Sequence, residues 1–320
     1  MLYGRFDWYF LLYGGMLAIM NACDELIGNW IINMTSTNFL LNRVFSKRIF
    51  NDAVVSFGNE TYASTIKRYV EDYHNKTNYD AITNIYKIID SEYRNEYFYK
   101  NTLLNKLLLG RHSVNTTTAL TEIPVGKSKA DFIMINGIGQ VYEVKTGLDN
   151  FDRLETQTND YFKAFDHVCI VTDEANYEKA CTKIYNPHIG IILLSNEGTL
   201  REVKKSKPFR QMLSSLAMFK VLRKGEFEAI IKRVYGTLPK TSQVEYYDAC
   251  YEMFSKIKTN VLHSLFLCEL KKRSIVKPDI KARIPKELRA IAYFSNYKEV
   301  DYNRLDDFLS KECLECISHI

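Results

Sequence analysis

The stretch Glu122-Ile-Pro-Val-Gly-Lys-Ser-Lys-Ala-Asp131-Phe-Ile-Met-Ile-Asn-Gly-Ile-Gly-Gln-Val-Tyr-Glu143-Val144-Lys145 decides how this chain reads. Two short apolar runs, Phe132–Ile135 and Gln140–Val144, flank the turn-forming residues Asn136-Gly137-Ile138-Gly139, a β-hairpin signal. Strand side chains alternate faces, so Glu143 and Lys145 point the same way, about 7 Å apart along the strand. The hairpin brings Asp131 alongside them. Two carboxylates and an amine within otherwise apolar strands gain nothing for a core. They are what is needed to hold a divalent cation and a water beside a phosphate.

The register of this hairpin is itself a test. A two-residue loop pairing Asn136 with Gly139 would face Asp131 with Val144, on the wrong side for Glu143. An odd-length loop or a bulge shifts the pairing by one and faces Asp131 with Glu143. The chemistry therefore predicts an irregularity at the turn or next to Asp131.

Composition sets the frame around this hairpin. The chain has 320 residues, 46% hydrophobic and 25% charged, enough for two or three small globular domains. Pro and Gly are scarce beside 22 Tyr and 18 Phe, so long flexible linkers are not expected. The net charge of +5 is uneven: residues 201–320 carry 24 Lys/Arg against 15 Asp/Glu, a balance of +9 that leaves −4 for the rest. The C-terminal third is thus a candidate polyanion-facing surface, although solvated helix faces produce the same numbers. Seven cysteines, an odd count spread thinly, do not form a disulfide framework and fit a reducing cytoplasm. Cys313-x-x-Cys316 with His319 resembles half a metal site, but no second pair stands nearby and helix spacing accounts for it better. Trp8–Met20 is an apolar run of 13 residues, short for a membrane span. Asp7 precedes it and no clean cleavage site follows, so a buried helix and no membrane partner are expected, with a membrane-attached effector led by this run as the rival reading.

Along the chain, residues 1–90 read as a helical N-terminal region, with Ile49–Val55, Tyr62–Val70 and Asp80–Ile89 at helical spacing. Ser91–Leu109 reads as one amphipathic helix closed by Gly110. Thr116–Ile123 is a strand, Pro124-Val-Gly126 a turn, and the hairpin follows. Asn150–Phe165 is a second helix capped by Asp149 or Asn150. His167–Thr172 is a strand, Tyr177–Ile184 a short helix, and Ile189–Leu194 another strand. This order implies an α/β fold, a mixed sheet with helices on both faces spanning residues 91–205. Residues 206–320 read as a helical, basic C-terminal region with breaks near Gly236–Pro239, Pro278 and Pro285.

A helix, a three-stranded meander carrying Asp131 and then Glu143-x-Lys145, a helix and a strand resemble the α-β-β-β-α-β core of the PD-(D/E)XK, restriction-endonuclease-like nuclease superfamily. Gln157-x-x-x-Tyr161 on the following helix is similar to the Gln-x-x-x-Tyr motif of its RecB-like branch. The resemblance implies a metal-dependent nuclease hydrolysing phosphodiester bonds, in DNA before RNA, in restriction, repair or phage defence. It implies Mg²⁺ or Mn²⁺ held by Asp131, Glu143 and the Val144 carbonyl, with Glu96 of the first helix directly or through water. Lys145 would position or deprotonate the attacking water, and Gln157 and Tyr161 would shape substrate contacts. Ala130 stands where the superfamily's name has proline, His112 lies past the helix end and is not expected as a ligand, and no iron–sulfur cluster is expected.

Each of these residues also has a plainer reading. Asp-x₁₁-Glu-x-Lys alone describes many solvated strand faces; its position between helices carrying Glu96 and Gln157 sets it apart. Glu122 is expected to be an exposed strand residue before a metal-side carboxylate, and Glu92 to lie one turn before Glu96 on the same helix face. Gly126-Lys127-Ser128 resembles the end of a phosphate-binding loop, but Thr121 replaces that motif's first glycine and strands follow, so no nucleotide site is expected. Lys127, Lys129, Arg153 and Lys163 surround the site and are candidates for phosphate contacts. The alternative to a nuclease is a catalytically inactive nucleic-acid-binding or protein-interaction module that keeps the fold.

Overall fold

The computed structural model describes residues 39–56, 58–112, 115–273, 280–295 and 297–318. The expected three-part division gives way to two compact units. Among the described residues, one unit comprises those up to Ile85 together with those from Ser310 onward, and the other is Tyr86–Leu309. The run Trp8–Met20, the break at Pro278 and His319 lie outside the described residues. Among those described, no helix is long and apolar enough to cross a membrane.

In the first unit, α1 (Lys47–Ser56) and α2 (Glu60–Tyr69) fall where the helical spacing places them. Asn59 caps α2 by accepting from the backbone N–H groups of Thr61 and Tyr62. α3 (Asn78–Glu92) begins here. The C-terminal helix α14 (Cys313–Ser318) belongs to the same unit, and the Thr77–Glu312 bridge ties its start to the start of α3. The Cys313 thiol donates to the Thr77 carbonyl and Cys316 accepts from Asn78, each at 3.3 Å. Burial pushes both thiols above the ordinary range, Cys313 to about 12. They pack as small buried groups.

The second unit is built on a six-stranded sheet whose spatial order equals its sequence order. The strands are β1 (Thr118–Val125), β2 (Ser128–Asn136), β3 (Ile138–Val144), β4 (His167–Asp173), β5 (Gly190–Leu194) and β6 (Leu200–Lys204). β1, β2 and β3 form an antiparallel meander; β3, β4 and β5 run parallel; β6 returns antiparallel. The fold is therefore α/β with a mixed sheet. β5 is fully buried and its five residues, Gly190–Leu194, are all apolar, as a strand covered on both faces requires.

Helices cover both faces. α4 (Glu96–Leu103) continues into a π-helical turn, Leu104–Leu108. The crossover helices α5 (Leu154–Phe162) and α6 (Tyr177–Lys183) link β3 to β4 and β4 to β5. After the sheet come α7 (Ser215–Val221), α8 (Lys224–Tyr235), α9 (Tyr246–Ser255), α10 (Thr259–Lys271), α11 (Ile280–Arg283), α12 (Arg289–Phe294) and α13 (Glu299–Ser310). The helices that follow residue 206 pack against the sheet. Phe219, Phe254, Phe266 and Leu270 of these helices share one core with Ile133, Val141, Tyr161 and Phe165. On the opposite face Phe132 meets Phe294 edge-to-face at 5.9 Å.

Several boundaries also move. The helix read as Ser91–Leu109 is two helices, because Asn95 takes an extended backbone and its side chain accepts from the Phe98 N–H, starting α4 at Glu96. Glu92 ends α3 and is not one turn before Glu96 on a shared face. Pro124 and Val125 belong to β1, where proline is tolerated on the edge strand, and the turn is Gly126-Lys127. α5 starts at Leu154, because Asp149 is already committed to the Thr146 N–H and hydroxyl at 2.7 and 2.8 Å. β6 was not anticipated.

Candidate metal centre

The hairpin register is the one the chemistry requires. Asn136 pairs with Ile138 across Gly137 alone, whose φ of 75° suits a residue without a Cβ. The ladder runs on to Phe132–Tyr142, so the next position faces Asp131 with Glu143. A second irregularity lies on the other side of Asp131. The β1–β2 pairing keeps one register from Thr118–Ile135 to Val125–Ser128 but skips Glu122–Asp131, where Glu122 adopts a left-handed φ of 58°. The Thr121 hydroxyl there donates to the Asp131 carbonyl at 2.6 Å. A non-glycine residue held at such a φ costs on the order of 1 kcal/mol and persists only where its surroundings enforce it.

At the end of β3, the Lys145 N–H donates to the Val171 carbonyl of β4 at 2.8 Å. Backbone groups of successive strand residues point to opposite neighbours, so Val144 turns its N–H and carbonyl toward β2. Its N–H reaches Asp131 Oδ2 at 2.9 Å. The Val144 carbonyl and the Asp131 carboxylate thus share one side of the strand.

Glu143 and Lys145 form the floor of the site, 1% and 7% exposed. Lys145 Nζ donates to Glu143 Oε1 and to Gln157 Oε1, both at 2.9 Å. Gln157 Nε2 closes the triangle by donating to Glu143 Oε1 at 2.5 Å. A neutral amide that accepts from the ammonium and donates to the carboxylate locks both without adding charge. The Tyr161 hydroxyl lies 2.6 Å from Glu143 Oε2 and 2.9 Å from the Lys129 carbonyl. Its single hydrogen serves the carboxylate, the shorter, charge-assisted contact. Burial, reinforced by the Glu143 charge, holds the phenol well above its ordinary pKa, so it stays a donor. Two of the three Lys145 ammonium hydrogens therefore have acceptors among the described residues.

Asp131 behaves differently. Burial, and then the neighbouring Glu143 charge, push its carboxyl up to about 8, against the pull of Lys100 and the Val144 N–H. Toward solvent it joins Glu96 and Glu122: each offers a carboxylate oxygen, all within 4.8 Å of one another. Lys100, one turn after Glu96 on α4, places its ammonium against Glu96 Oε1 and Glu122 Oε1, while Lys129 holds the other Glu122 oxygen. Burial of Glu122 is outweighed by these two lysines, which keep its carboxyl below the usual range.

The sequence-derived residues therefore gather, but in two layers. Asp131 and Glu96 meet as anticipated. Glu143 stands outside that trio, with its oxygens engaged by Lys145, Gln157 and Tyr161. Glu122, read from the sequence as an exposed strand residue, is the third carboxylate, and Lys100 was not singled out at all. An oxygen-only donor set of this kind suits a hard dication such as Mg²⁺ or Mn²⁺.

The neighbouring basic residues divide as well. Lys163 pairs with Asp160 at 2.6 Å, while Lys127 and Arg153 are exposed. The Gly126-Lys127-Ser128 turn is filled by Asp160, which accepts from the Lys127 N–H at 3.0 Å and the Ser128 hydroxyl at 2.9 Å. With a carboxylate already in the cradle, a phosphate is repelled there. His112 sits near the hairpin tip, its Nδ1 3.2 Å from Asn136 Nδ2.

Residues 89–280, more than half of the chain, match the family described as Bacteriophage P4 protein cII. No curated protein matches the chain. A solved structure of a protein of unknown function from Silicibacter pomeroyi is similar at 14% identity and a TM-score of 0.26, over 38% of this chain and 78% of that one. On the family match, the chain belongs to the Bacteriophage P4 protein cII family.

Proposed function

We propose that this chain is a metal-dependent nuclease that hydrolyses phosphodiester bonds, DNA being the first substrate to test, on an α-β-β-β-α-β core of restriction-endonuclease type. The observation that carries the reading is the juxtaposition of an oxygen-rich trio, Glu96, Glu122 and Asp131, with the Glu143–Lys145–Gln157 triangle behind it. A bound Mg²⁺ or Mn²⁺ would supply charge neutralisation at the phosphate and a water of lowered pKa.

The chain's own residues do the remainder. Asp131 and Glu96 would hold the cation, with Glu122 and the Val144 carbonyl as further oxygen donors. Lys145 is fixed by Glu143 and Gln157 and presents its remaining N–H hydrogen toward the attacking oxygen or the scissile phosphate. Tyr161 and Gln157 keep Glu143 oriented beside that ammonium, so the lysine need not reorganise as charge develops. Lys127 and Arg153, exposed near the site, supply cations for the nucleic-acid backbone.

The test is incubation of purified full-length protein with plasmid, linear and single-stranded DNA and with RNA, in Mg²⁺ or Mn²⁺, beside Asp131→Asn. Cleavage that needs the metal and is lost in Asp131→Asn supports the reading. Binding without cleavage in every condition would instead favour an inactive nucleic-acid-binding module.

A further inference from the structure

The acidic trio is not vacant of positive charge. The Lys100 side chain is only 13% exposed, and its ammonium is bonded to both Glu96 and Glu122. Burial pulls its pKa down, but Glu96, Asp131 and Glu122 outweigh that and hold it above the ordinary value. Lys129 plays a lesser part, with a side chain 61% exposed and a contact to Glu122 alone. Glu96 and Glu122, gathered with Asp131 within 4.8 Å of one another, would repel if left bare, and Lys100 is the cation that bonds to both.

We infer that Lys100 is a built-in competitor for the cation site: its ammonium occupies the carboxylate trio in the metal-free protein and is displaced when a dication binds. This rests on the metal-site reading above and adds a regulatory element to it. Two features make displacement feasible. Lys100 lies one turn from Glu96 on α4, and its four-carbon stem can swing the charge away while the helix stays in place. The site also gains charge on exchange, since a dication replaces a monocation over the same oxygens. Ammonium and metal then oppose each other reciprocally, so each lowers the other's occupancy by the same factor.

Manganese binding to the full-length protein measures this, by calorimetric titration of wild type, Lys100→Met, Lys100→Gln and Asp131→Asn. In parallel, an amine-acylating reagent with mass spectrometry reads the reactivity of Lys100 in the wild type with and without Mn²⁺. The inference expects Mn²⁺ to bind Lys100→Met about tenfold or more tightly than wild type. It expects Lys100 acylation in the wild type to rise severalfold when Mn²⁺ is added. Metal-free Lys100→Met should melt lower than wild type and recover more on adding Mn²⁺. Equal or weaker Mn²⁺ binding in Lys100→Met, with Lys100 acylation unmoved by metal while Asp131→Asn abolishes binding, overturns the role of Lys100 and leaves the metal site standing. Absence of Mn²⁺ binding in every protein at millimolar concentration removes both. Should Lys100→Met not fold, Lys100→Gln and the wild-type acylation decide.

Discussion

Asn136 pairs with Ile138 across a single glycine, and that closure is what sets Asp131 across from Glu143. One residue more in the turn would face Asp131 with Val144 and turn Glu143 and Lys145 away from the acidic trio. The site depends on turn geometry as much as on its acids.

Lys145→Met should destabilise the protein by about 3–5 kcal/mol, because it strands the Glu143 carboxylate in the interior with only neutral partners. Adding Glu143→Gln should return part of that loss, since the orphaned charge is then gone. Urea unfolding of the two single variants and the double variant measures the coupling. Strictly additive losses would mean the pair is not a unit.

Asp131 gives the metal-free protein an unusual pH dependence. Its folded-state pKa of about 8 lies above the ordinary value of 3.8, so over that interval the native state keeps a proton the unfolded chain has released. Stability should therefore fall as pH rises from about 4 to 8, by several kcal/mol for this one group. Asp131→Asn should flatten that slope. Melting temperatures in chelator from pH 5 to 8.5 test it, and an unchanged slope in the variant would assign the effect elsewhere.

Gln157→Ala removes the amide that joins Lys145 to Glu143 without touching a charge. The fold should survive, and metal-dependent cleavage should drop roughly 10- to 100-fold, the usual cost of losing an orienting partner. Circular dichroism and cleavage rates at saturating metal separate this from unfolding. A rate within twofold of wild type would show that Gln157 does not position the lysine.

Asp160→Ala should cost about 2–3 kcal/mol, because the Lys127 N–H, the Ser128 hydroxyl and the Lys163 ammonium all lose their acceptor. The loss should shrink at low pH. Burial raises the Asp160 carboxyl, but its donors outweigh burial and hold it below the usual range, so its contribution is present above the ordinary carboxylate pKa and vanishes as acid protonates it. Chemical denaturation of wild type and variant at pH 7 and pH 3 checks the sign.

Much of the site could be read from spacing. Glu143 and Lys145 two apart on a strand, and Gln157 and Tyr161 four apart on a helix, are geometric statements, and the structure gathers all four. Glu122 is open to two readings in the sequence, a metal-side carboxylate and an exposed strand residue, and it is both: a β1 residue with an exposed side chain and the third carboxylate of the trio, at a φ of 58° that strand alternation does not foresee. Lys100 was missed because a Glu–Lys pair one helical turn apart looks like any solvated helix surface. In the fold, strands rich in β-branched and apolar residues were recognisable. β6 was not, since Leu200–Lys204 carries three charged residues in five and takes its identity from pairing with β5. Helix starts moved where Asn95 and Asp149 chose backbone partners that composition does not specify.

The strictly sequential strand order bears on how the molecule is made. As the chain leaves the ribosome, each new strand finds its hydrogen-bonding neighbour already synthesised, so the sheet can grow from one edge by short loop closures. Every residue assigned to the site has emerged before β4 is complete. The aromatic helices α7 to α10, which cover one face of the sheet, are translated only after all six strands. Until they arrive, the nascent sheet carries a bare apolar surface, and that interval is where misassembly or chaperone capture concentrates.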